Sequence, residues 1–279
     1  MTEKTVYRPK HPIRFVTATS LFDGHDVSIN IFRQMLQAAG VEVVHLGHNR
    51  SVPEIVTCAL QEDVQAVALS SYQGGHMETF KYLYDALSER DCRHIRIFGG
   101  GGGVFLPEEI RELHEYGITR IYSPEDGRRM GLQGIINDMI EQSDFSTIAN
   151  FSINTANLSI RDIRETGRAI SYIENTGNLP AESDTDKTPA CERPPIIGIT
   201  GTGGSGKSTL TDEILRRYCT DFPDQNIAVV SVDPTRRKTG GALLGDRIRM
   251  NTLGHVNIFM RSMALRDSAR SISRHITAV

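Results

Sequence analysis

A histidine between two aspartates stands in the segment LFDGHD at positions 21–26, directly after an apolar stretch. Imidazole ligates metals through one ring nitrogen, and a metal-bound imidazole usually donates its other N–H to a carboxylate. Asp23 can accept that hydrogen bond if the loop bends back on itself, which Gly24 permits. The spacing therefore predicts that His25 ligates a metal, with an ordinary loop histidine as the alternative.

The other residues of the chain limit the kind of metal site. Zinc needs three or four protein ligands, and one histidine cannot supply them. The chain has four scattered cysteines and no CxxC pair: Cys58, Cys92, Cys191 and Cys219. Such usage predicts a reduced, cytoplasmic protein rather than a zinc or disulfide framework. A lone histidine suits a metal that a macrocycle already holds, either haem or a corrin.

A second motif, GTGGSGKS at positions 201–208, satisfies the phosphate-loop pattern G-x-x-x-x-G-K-[ST]. The apolar stretch IIGIT before it predicts a strand, and a helical pattern follows from Ser208 to Cys219. The loop glycines and the helix N-terminus point backbone N–H groups at phosphate oxygens. The nucleotide-binding residues expected here are Gly203, Gly204, Ser205, Gly206, Lys207 and Ser208. A coincidental glycine-rich turn is the alternative, and the motif does not say which nucleotide binds.

The residues around this motif suggest a magnesium site. Lys207 is expected to reach the terminal phosphates, and the Ser208 hydroxyl to ligate Mg²⁺. Asp233 follows the predicted strand NIAVVSV and can hold Mg²⁺ or initiate a turn before a proline. Farther on, GALLGDRIRMN offers Asp246 and Arg249 in a loop that can close over a γ-phosphate or remain a solvated charged loop. No N-K-x-D or D-x-x-G motif follows, so these residues alone do not predict hydrolysis.

The elements that position the first motif are alternating strands and helices over residues 13–142. The predicted strands are Ile13–Thr19, Val41–Leu46, Ala66–Ser70, Ile95–Phe98 and Arg120–Tyr122. The predicted helices are Ser28–Ala39, Pro53–Glu62, Met77–Arg90, Glu108–Tyr116 and Gly131–Glu141, with Gly40 and Gly117 as C-terminal caps. Short apolar strands that are each followed by a helix predict a parallel sheet covered on both faces, in the flavodoxin-like order 2-1-3-4-5.

In such a sheet the ligand site lies at the carboxyl edge where strand order reverses, between strands 1 and 3. Three unusual loops meet there: FDGHD after strand 1, SSYQGGH after strand 3 and FGGGGGVF after strand 4. His25 is expected at the mouth of a crevice floored by Ser70 and Gly99–Gly103. Successive glycines are tolerated where a bulky ligand must touch the backbone. A floppy surface loop is the alternative.

The rest of the chain divides into a tail, a linker and a second α/β unit. Residues 1–12 form the tail, and residues 143–194 contain a predicted helix, Ser159–Asn175, and a linker rich in Pro, Asp, Glu and Thr. Between residues 195 and 279 only two strands can be counted, and the final stretch SMALRDSARSISRHITAV has a helical pattern. We expect an incomplete phosphate-loop domain there, and expect the chain to be the N-terminal part of a longer protein.

Charge and hydropathy argue against two classes of partner. A formal net charge of −3 gives no basic surface, so nucleic acid is not expected as a ligand. The chain contains no apolar run near the roughly 18–20 residues that a membrane span needs, so no membrane association is expected either.

DGHD, the Ser70-Ser71 strand end and the glycine run resemble the D-x-H-x-x-G…S-x-L…GG pattern of cobalamin-binding domains in coenzyme-dependent mutases. The resemblance implies a flavodoxin-like (Rossmann-type) cobalamin-binding domain over residues 13–142 that holds adenosylcobalamin. It also implies that His25 ligates the cobalt from below, with Asp23 hydrogen-bonded behind it. Ser70 would lie beside the buried nucleotide tail, and Gly99, Gly100, Gly101, Gly102 and Gly103 would line its groove. Two residues depart from the pattern: Ser28 replaces a glycine and Tyr72 a leucine, and either could narrow the groove.

The order of the parts, with the stretches SLFDGHD, LGHNRSV, SSYQGGH, YSPEDG, VDP and GDRIRM, resembles the fused isobutyryl-CoA mutases. The resemblance implies that residues 195–279 begin a P-loop NTPase α/β domain, a GTPase chaperone that gates cofactor loading. Ser208, Asp233 and Asp246 then match Mg²⁺-binding positions and Arg249 a GTP-contacting one, with Lys207 and Asp246 in catalytic roles. A homodimer is also implied, in which acyl-CoA binds a barrel domain that has no counterpart in this sequence.

Two other functions are consistent with parts of the pattern. A cobalamin-carrying sensor or delivery module with a nucleotide switch would use the same two sites without isomerase activity. A flavodoxin-like phosphorylation receiver fused to an ATPase would use Asp23 as the acceptor. Receivers place the acceptor aspartate after strand 3, where this sequence has Ser70-Ser71, which counts heavily against the receiver.

Overall fold

The computed structural model describes residues 5–149, 151, 162–178, 194–234, 241–266 and 276. Its first sheet is built from β1 (Arg14–Ser20), β2 (Glu42–Arg50), β3 (Ala66–Ser70), β4 (Arg96–Gly100) and β5 (Arg120–Tyr122). Five helices connect and follow these strands: α1 (Val27–Ala38), α2 (Val52–Gln61), α3 (His76–Ser88), α4 (Pro107–Tyr116) and α5 (Pro124–Gln142). All five predicted strands are confirmed, with ends that differ by a few residues.

The strands are parallel, and their order is β5-β4-β3-β1-β2, which confirms the flavodoxin-like arrangement. Helices cover both faces of the sheet because the strands are apolar on both sides. One core lies under α1 and α5 and includes Leu36 and Ile136, and the opposite core lies under α2, α3 and α4 and includes Phe80 and Leu113. The loops after β1, β3 and β4 therefore emerge at one edge.

Local sequence signals fix most helix ends. Gly40 and Gly117 follow α1 and α4 with φ of 103° and 125°, which confirms both as C-terminal caps. At the start of α5, Ser123 and Asp126 exchange hydrogen bonds in a capping box. The helix predicted from Gly131 begins earlier, at Pro124, and kinks at Gly131, where the backbone is not helical.

The first sheet has a sixth strand that the sequence analysis did not predict. The strand β7 (Ala242–Leu244) pairs in parallel with β2, from Glu42 opposite Ala242 to Val44 opposite Leu244. This strand belongs to GALLGDRIRMN, so the prediction of a loop there is wrong for residues 242–244, and the alternative of a solvated charged loop is wrong for the buried Arg247. The helix α6 (Ile163–Thr176) confirms the described part of the predicted helix 159–175 and packs on α2.

The second region contains α7 (Lys207–Asp221), β6 (Ile227–Pro234) and β8 (Ile258–Leu265). The strands β6 and β8 pair in parallel along their whole length. Residues 258–265 are therefore a strand, and the helix predicted from residue 262 is wrong over its first four residues. Most of the remainder of that prediction, from residue 267 onward, lies outside the described residues. Among the described residues of the region there are three strands, and of these only β6 was predicted.

The strand predicted at IIGIT, residues 196–200, is also wrong, because these residues form no regular element. Ile196 and Ile197 are 96% and 76% exposed. An apolar stretch becomes a strand only when a neighbouring strand takes up its backbone hydrogen bonds, and none of the described residues pairs with it.

Cys58, Cys92 and Cys219 are free and buried, and Cys191 lies outside the described residues. Within the described part of the chain, none of the helices combines the length and the hydropathy that a membrane crossing requires.

Candidate functional site

The Asp23–His25 pair has the geometry that the spacing predicts. The Nδ1 atom of His25 lies 2.8 Å from Oδ1 of Asp23, which also accepts the backbone N–H of His25 at 2.9 Å. The His25 side chain is 74% exposed, whereas that of Asp23 is fully buried. Among the described residues, none hydrogen-bonds to Nε2 of His25, so this nitrogen is presented outward.

The Asp23 carboxylate is anchored to the neighbouring loop. Its Oδ2 atom accepts the backbone N–H of Tyr72, which follows β3. Burial would raise the pKa of Asp23, but the hydrogen bonds from Tyr72 and His25 outweigh burial and lower this pKa below its usual value. An ionised carboxylate fixes the imidazole tautomer with its proton on Nδ1, which leaves Nε2 as a ligand.

The loop glycine between the pair makes no tight contact. A Cβ atom at Gly24 would meet nothing within 4 Å, and the φ of Gly24 is not positive. The chain itself does not require a glycine at this position, so the space beside Gly24 stays open next to the imidazole.

A cavity of about 300 Å³ opens between the carboxyl edge of the sheet and the helices α1 and α5. Asp23, Gly24 and His25 do not line it, but the His25 ring lies next to Tyr72, which does. Its walls are mostly apolar, and the predicted Ser70, Tyr72 and Gly99–Gly102 line it together with Ser28. Gly103 lies outside this lining, so the structure does not place it with the other four glycines. The other lining residues are Ile29, Phe32, Ala68, Leu69, Phe98, Tyr122, Ser123, Pro124, Gly127, Leu132, Ile135 and Met139.

Two of the glycines are required by the packing of the chain itself. A Cβ atom at Gly101 would lie 1.8 Å from the carbonyl oxygen of Ser71, and one at Gly99 would lie 2.3 Å from the ring of Phe80. Both approaches are far inside van der Waals contact. These two positions therefore exclude side chains whether or not a ligand is bound. Ligand contact, from which the glycines were explained in the sequence, is not needed to account for these two.

The two departures from the family pattern contact each other. The Ser28 hydroxyl lies 2.7 Å from the Tyr72 hydroxyl, and the Tyr72 ring centroid is 5.3 Å from that of His25. A Cβ atom at Gly102 would lie 2.5 Å from the Tyr72 ring. Tyr72 thus stands between the histidine and the glycine run, across the mouth of the cavity.

The cavity fits a long ligand with an aromatic, polar tail. The hydroxyl of Ser70 is buried in it and has no hydrogen-bond partner, which is costly unless a ligand supplies one. Aromatic and aliphatic walls next to an unpaired hydroxyl suit a base that carries both a flat apolar face and polar atoms. The His25 ring neighbours Tyr72 at the mouth of this cavity, so a metal-centred ring above the loop and a tail in the cavity are mutually compatible.

The phosphate loop has the expected glycine conformations, but its lysine is hydrogen-bonded to carbonyl groups of the loop itself. Gly201, Gly204 and Gly206 have φ of 154°, 79° and 84°, conformations that favour glycine. The ammonium group of Lys207 donates to the carbonyl oxygens of Gly201 and Thr202 at 2.9 and 2.8 Å. These carbonyls occupy the lysine in place of phosphate oxygens.

The predicted magnesium residues converge at the start of α7. The Ser208 hydroxyl donates to Oδ1 of Asp246 at 3.3 Å, and the Ser231 hydroxyl, on β6, donates to Oδ2 of the same carboxylate. Burial, followed by the charge of Asp246, raises the pKa of Asp233 to about 7. Oδ2 of Asp233 is buried without a partner. Two carboxyl groups close enough for the charge of one to raise the pKa of the other favour a cation beside them.

Ser231 was missed by the sequence analysis. It lies two residues before Asp233, on the same face of β6, and the alternation of side chains along a strand could have identified it. Arg249 is exposed, at the end of the short helix Arg247–Arg249, and its charge acts on Asp233. Within the described residues no cluster of three or more His, Cys, Asp or Glu side chains could hold a metal, so the cation site would combine two carboxylates with hydroxyls.

Comparisons with known protein families match both parts of the chain. Residues 13–127 match the B12 binding domain, and residues 166–279 match the methylmalonyl-CoA mutase-associated GTPase MeaB. The first match contains the Asp23–His25 pair and the cavity, and the second contains the phosphate loop.

Curated relatives match nearly the whole chain. The fused isobutyryl-CoA mutase of Geobacillus kaustophilus is 58% identical over 276 residues, and that of Cupriavidus metallidurans is 55% identical over 274 residues. The matches cover 96% and 97% of this chain but 25% of each relative, so the chain spans about a quarter of their length. A solved cobalamin-binding protein from Desulfitobacterium hafniense is 23% identical, with a TM-score of 0.40, over 47% of this chain and 59% of that one.

Proposed function

Because the chain belongs to the fused isobutyryl-CoA mutase family, we propose that it is the cobalamin- and nucleotide-binding part of an adenosylcobalamin-dependent mutase. The reaction that we propose for the whole protein interconverts isobutyryl-CoA and n-butyryl-CoA. The observation that carries this proposal is the outward imidazole of His25, held by buried Asp23 beside a cavity with an unpaired Ser70 hydroxyl. Adenosylcobalamin, when bound, supplies the radical chemistry, and the protein supplies binding and orientation.

In this proposal each residue of the first site has one task. His25 offers Nε2 to cobalt, and Asp23 keeps the imidazole in the required tautomer and orientation. Ser70 hydrogen-bonds the nucleotide tail, and Gly99–Gly102 give it access to the backbone. The apolar walls exclude water from the tail, and this supports binding with the cofactor's own base displaced from the metal.

We propose that the second site binds GTP with Mg²⁺. Lys207 leaves its loop carbonyls to contact the terminal phosphates, and Gly203–Gly206 contribute backbone N–H groups. Ser208, Asp233 and Asp246 hold Mg²⁺, and Arg249 contacts the nucleotide. The choice of GTP over ATP comes from the MeaB match, since the sequence has no N-K-x-D motif that would read the base.

The proposed organisation has a tail at 1–12, a cobalamin-binding domain at 13–142, a connecting region at 143–194, and the start of a G-protein chaperone domain at 195–279. The acyl-CoA substrate would bind a barrel that lies outside this sequence, in a homodimeric protein. A cytoplasmic location stays a prediction that rests on the scattered cysteines.

Absorption spectroscopy with His25→Ala tests this function. Wild-type chain mixed with adenosylcobalamin is expected to give a spectrum that differs from the free cofactor, because a protein imidazole replaces the cofactor's base. His48→Ala, an exposed histidine on β2, serves as the control and is expected to behave as wild type. If His25→Ala gave the wild-type spectrum, ligation by this residue would be wrong.

A further inference from the structure

The segment that carries Asp246 is attached to the first domain. Its strand β7 extends the first sheet, and Ala242 and Leu244 are completely buried there. Gly241, just before the strand, has no room for a side chain, because a Cβ atom would lie 2.2 Å from the carbonyl oxygen of Gln37. The segment is therefore packed against α1 and β2 before the chain reaches Asp246.

The residue after Asp246 fixes the other end of this segment. Arg247 is 5% exposed, and its guanidinium donates to Oε1 of Glu62 and to Oε1 of Gln61, both at 2.8 Å. It also donates to the backbone carbonyl of Met260 on β8. A planar guanidinium that contacts three acceptors has little freedom to move.

Glu62 lies at the C-terminal end of α2, in the first domain, and is fully buried. Its second oxygen accepts from Arg14 at 3.1 Å, and its first also accepts from the Ser262 hydroxyl at 2.9 Å. Burial would raise the pKa of Glu62, but Arg247, Arg14 and Arg261 outweigh it and lower this pKa below the usual value. Glu62 is thus a charged group shared by β1, β8 and the Asp246 segment.

The opposite side of Asp246 faces the phosphate loop. There Ser208 and Ser231 donate to its two carboxylate oxygens. The carboxylate therefore lies between hydroxyls of the second region, while its neighbour Arg247 is ion-paired to the first. A displacement of Arg247 would move Asp246 relative to Ser208.

We infer that Glu62, a residue of the cobalamin-binding domain, is a positioning residue for the Mg²⁺–nucleotide site of the second region. It acts through Arg247, which holds Asp246 opposite Ser208. The inference rests on the proposed function, in which Asp246 is a Mg²⁺ ligand. It adds that docking of the two regions is required for tight Mg²⁺ binding.

The test compares Glu62→Gln with wild type in the full chain. The affinity for a non-hydrolysable GTP analogue is measured with Mg²⁺ and with a chelator, and the ratio is the gain due to Mg²⁺. We expect this gain to fall about tenfold or more in Glu62→Gln, in line with changes to groups that orient metal ligands. The affinity without Mg²⁺ is expected to stay unchanged, because the phosphate loop itself is not altered.

Two further variants separate positioning from a general loss of structure. Arg247→Lys keeps the positive charge but cannot reach Glu62 and Gln61 together, so it should lower the gain as well, and it carries the test if Glu62→Gln does not fold. Arg266→Gln is the control, since Arg266 pairs with Glu42 at 2.8 Å at the exposed edge of the same cluster but makes no hydrogen bond or ion pair with Glu62 or Arg247. It should leave the gain at the wild-type value.

Amide hydrogen exchange without any ligand gives an independent measurement. Residues 244–250 should exchange about tenfold faster in Arg247→Lys, while the amides of β3 and β4 keep their wild-type protection. An unchanged Mg²⁺ gain in both Glu62→Gln and Arg247→Lys, or an equal fall in Arg266→Gln, would overturn the inference. If wild type itself showed no gain with Mg²⁺, the proposed nucleotide function would fail instead.

Discussion

The two candidate sites differ in how many parts of the chain build them. Asp23, His25, Ser70 and the glycine run all lie at the carboxyl edge of one sheet, in strand ends and the loops that follow, and the hydrogen bonds of the Asp23–His25 pair stay within that domain. The nucleotide site takes Ser208 and Ser231 from the second region and Asp246 from a segment that pairs with the first sheet.

The two sites also differ in how far each is preorganised for its ligand. In the first, a buried carboxylate already holds the imidazole outward, with one ring nitrogen available. In the second, the Lys207 ammonium is hydrogen-bonded to loop carbonyls and the Asp246 carboxylate to serine hydroxyls, so neither is free for a nucleotide or a cation. A site within one domain can be preorganised by local contacts, whereas a site between two regions depends on the interface that joins them.

That interface is a buried cluster of three arginines and three glutamates, with Arg266 at its exposed edge: Arg14, Arg247, Arg261, Glu42, Glu62 and Glu174. Buried ion pairs of this kind add little net stability when formed, but they are costly to break, because removing one partner leaves a buried charge. The cluster therefore makes the docked arrangement specific.

The largest effect is expected from breaking this cluster. Arg261→Leu removes the closer of the two arginine partners of Glu174, at 2.6 Å against 3.4 Å for Arg14, and should lower the free energy of unfolding by about 3–5 kcal/mol. Arg216→Ala, which removes an exposed ion pair with Glu213 on α7, is the control and should change little. Urea denaturation measures the free energy of unfolding of both variants. If Arg261→Leu were as stable as Arg216→Ala, the view that buried charges hold the two regions together would be contradicted.

The second-largest effect that we expect is a pH dependence of the folding stability, which arises from a histidine of the first sheet. Burial, followed by the charge of Arg33, lowers the pKa of His45 from 6.5 to about 4. The unfolded chain then binds a proton that the folded chain does not, so stability is present above about pH 6.5 and is lost as the pH falls towards 4.

His45→Gln should remove this dependence. Between about pH 7 and about pH 5, wild type should lose about 2 kcal/mol more of its unfolding free energy than the variant does. His48→Gln, at an exposed position on the same strand, is the control and should follow wild type. Urea denaturation at the two pH values measures the loss. If wild type and His45→Gln lost the same amount of unfolding free energy, His45 would not be the source of the pH dependence.

The third effect is on cobalamin affinity alone. Asp23→Asn removes the charged acceptor of the His25 N–H and should weaken adenosylcobalamin binding about 10- to 100-fold. Asp26→Asn, in the same loop, makes no capping hydrogen bond with its side chain and should bind as wild type does. Spectroscopic titration measures both. If Asp23→Asn also lost Mg²⁺–nucleotide affinity, the two sites would not be built as separately as we describe.

The smallest effect concerns the mouth of the cavity. Ser28→Gly restores the family glycine and removes the 2.7 Å hydrogen bond to Tyr72, worth about 1 kcal/mol. We expect cofactor entry to become a few-fold faster, measured by stopped-flow absorption. Tyr72→Phe removes the same bond and should have the same effect, with no further gain in the double variant. If the gains in entry rate of the two single variants added fully in the double variant, the hydrogen bond between Ser28 and Tyr72 would not be what closes the mouth of the cavity.

Much of the first domain could be predicted because its signals are local. Alternating apolar strands and amphipathic helices gave the strand order, and Gly40 and Gly117 gave two helix ends. The Asp23–His25 contact also spans two residues only, so spacing was enough to predict it. The hydrogen bond between Ser28 and Tyr72 joins helix α1 to the loop after β3, and the sequence indicated only that both positions were unusual.

The second region was predicted less well because its contacts are distant in sequence. The ion pair of Arg247 with Glu62 joins positions 185 residues apart, and β7 completes a sheet that begins at residue 14. A charged stretch such as GDRIRM looks solvated until its buried partner is known. The reverse holds for IIGIT, whose apolar character predicted a strand that finds no partner among the described residues.

The most direct test is whether the axial nitrogen on cobalt comes from His25. Chain produced with histidine labelled with the heavy nitrogen isotope is loaded with cob(II)alamin, and its electron paramagnetic resonance spectrum is recorded. We predict that each cobalt line splits into a doublet, as a labelled imidazole nitrogen requires, and that His25→Ala abolishes the doublet. A triplet from an unlabelled nitrogen, which only the cofactor's own base can supply, would contradict the account.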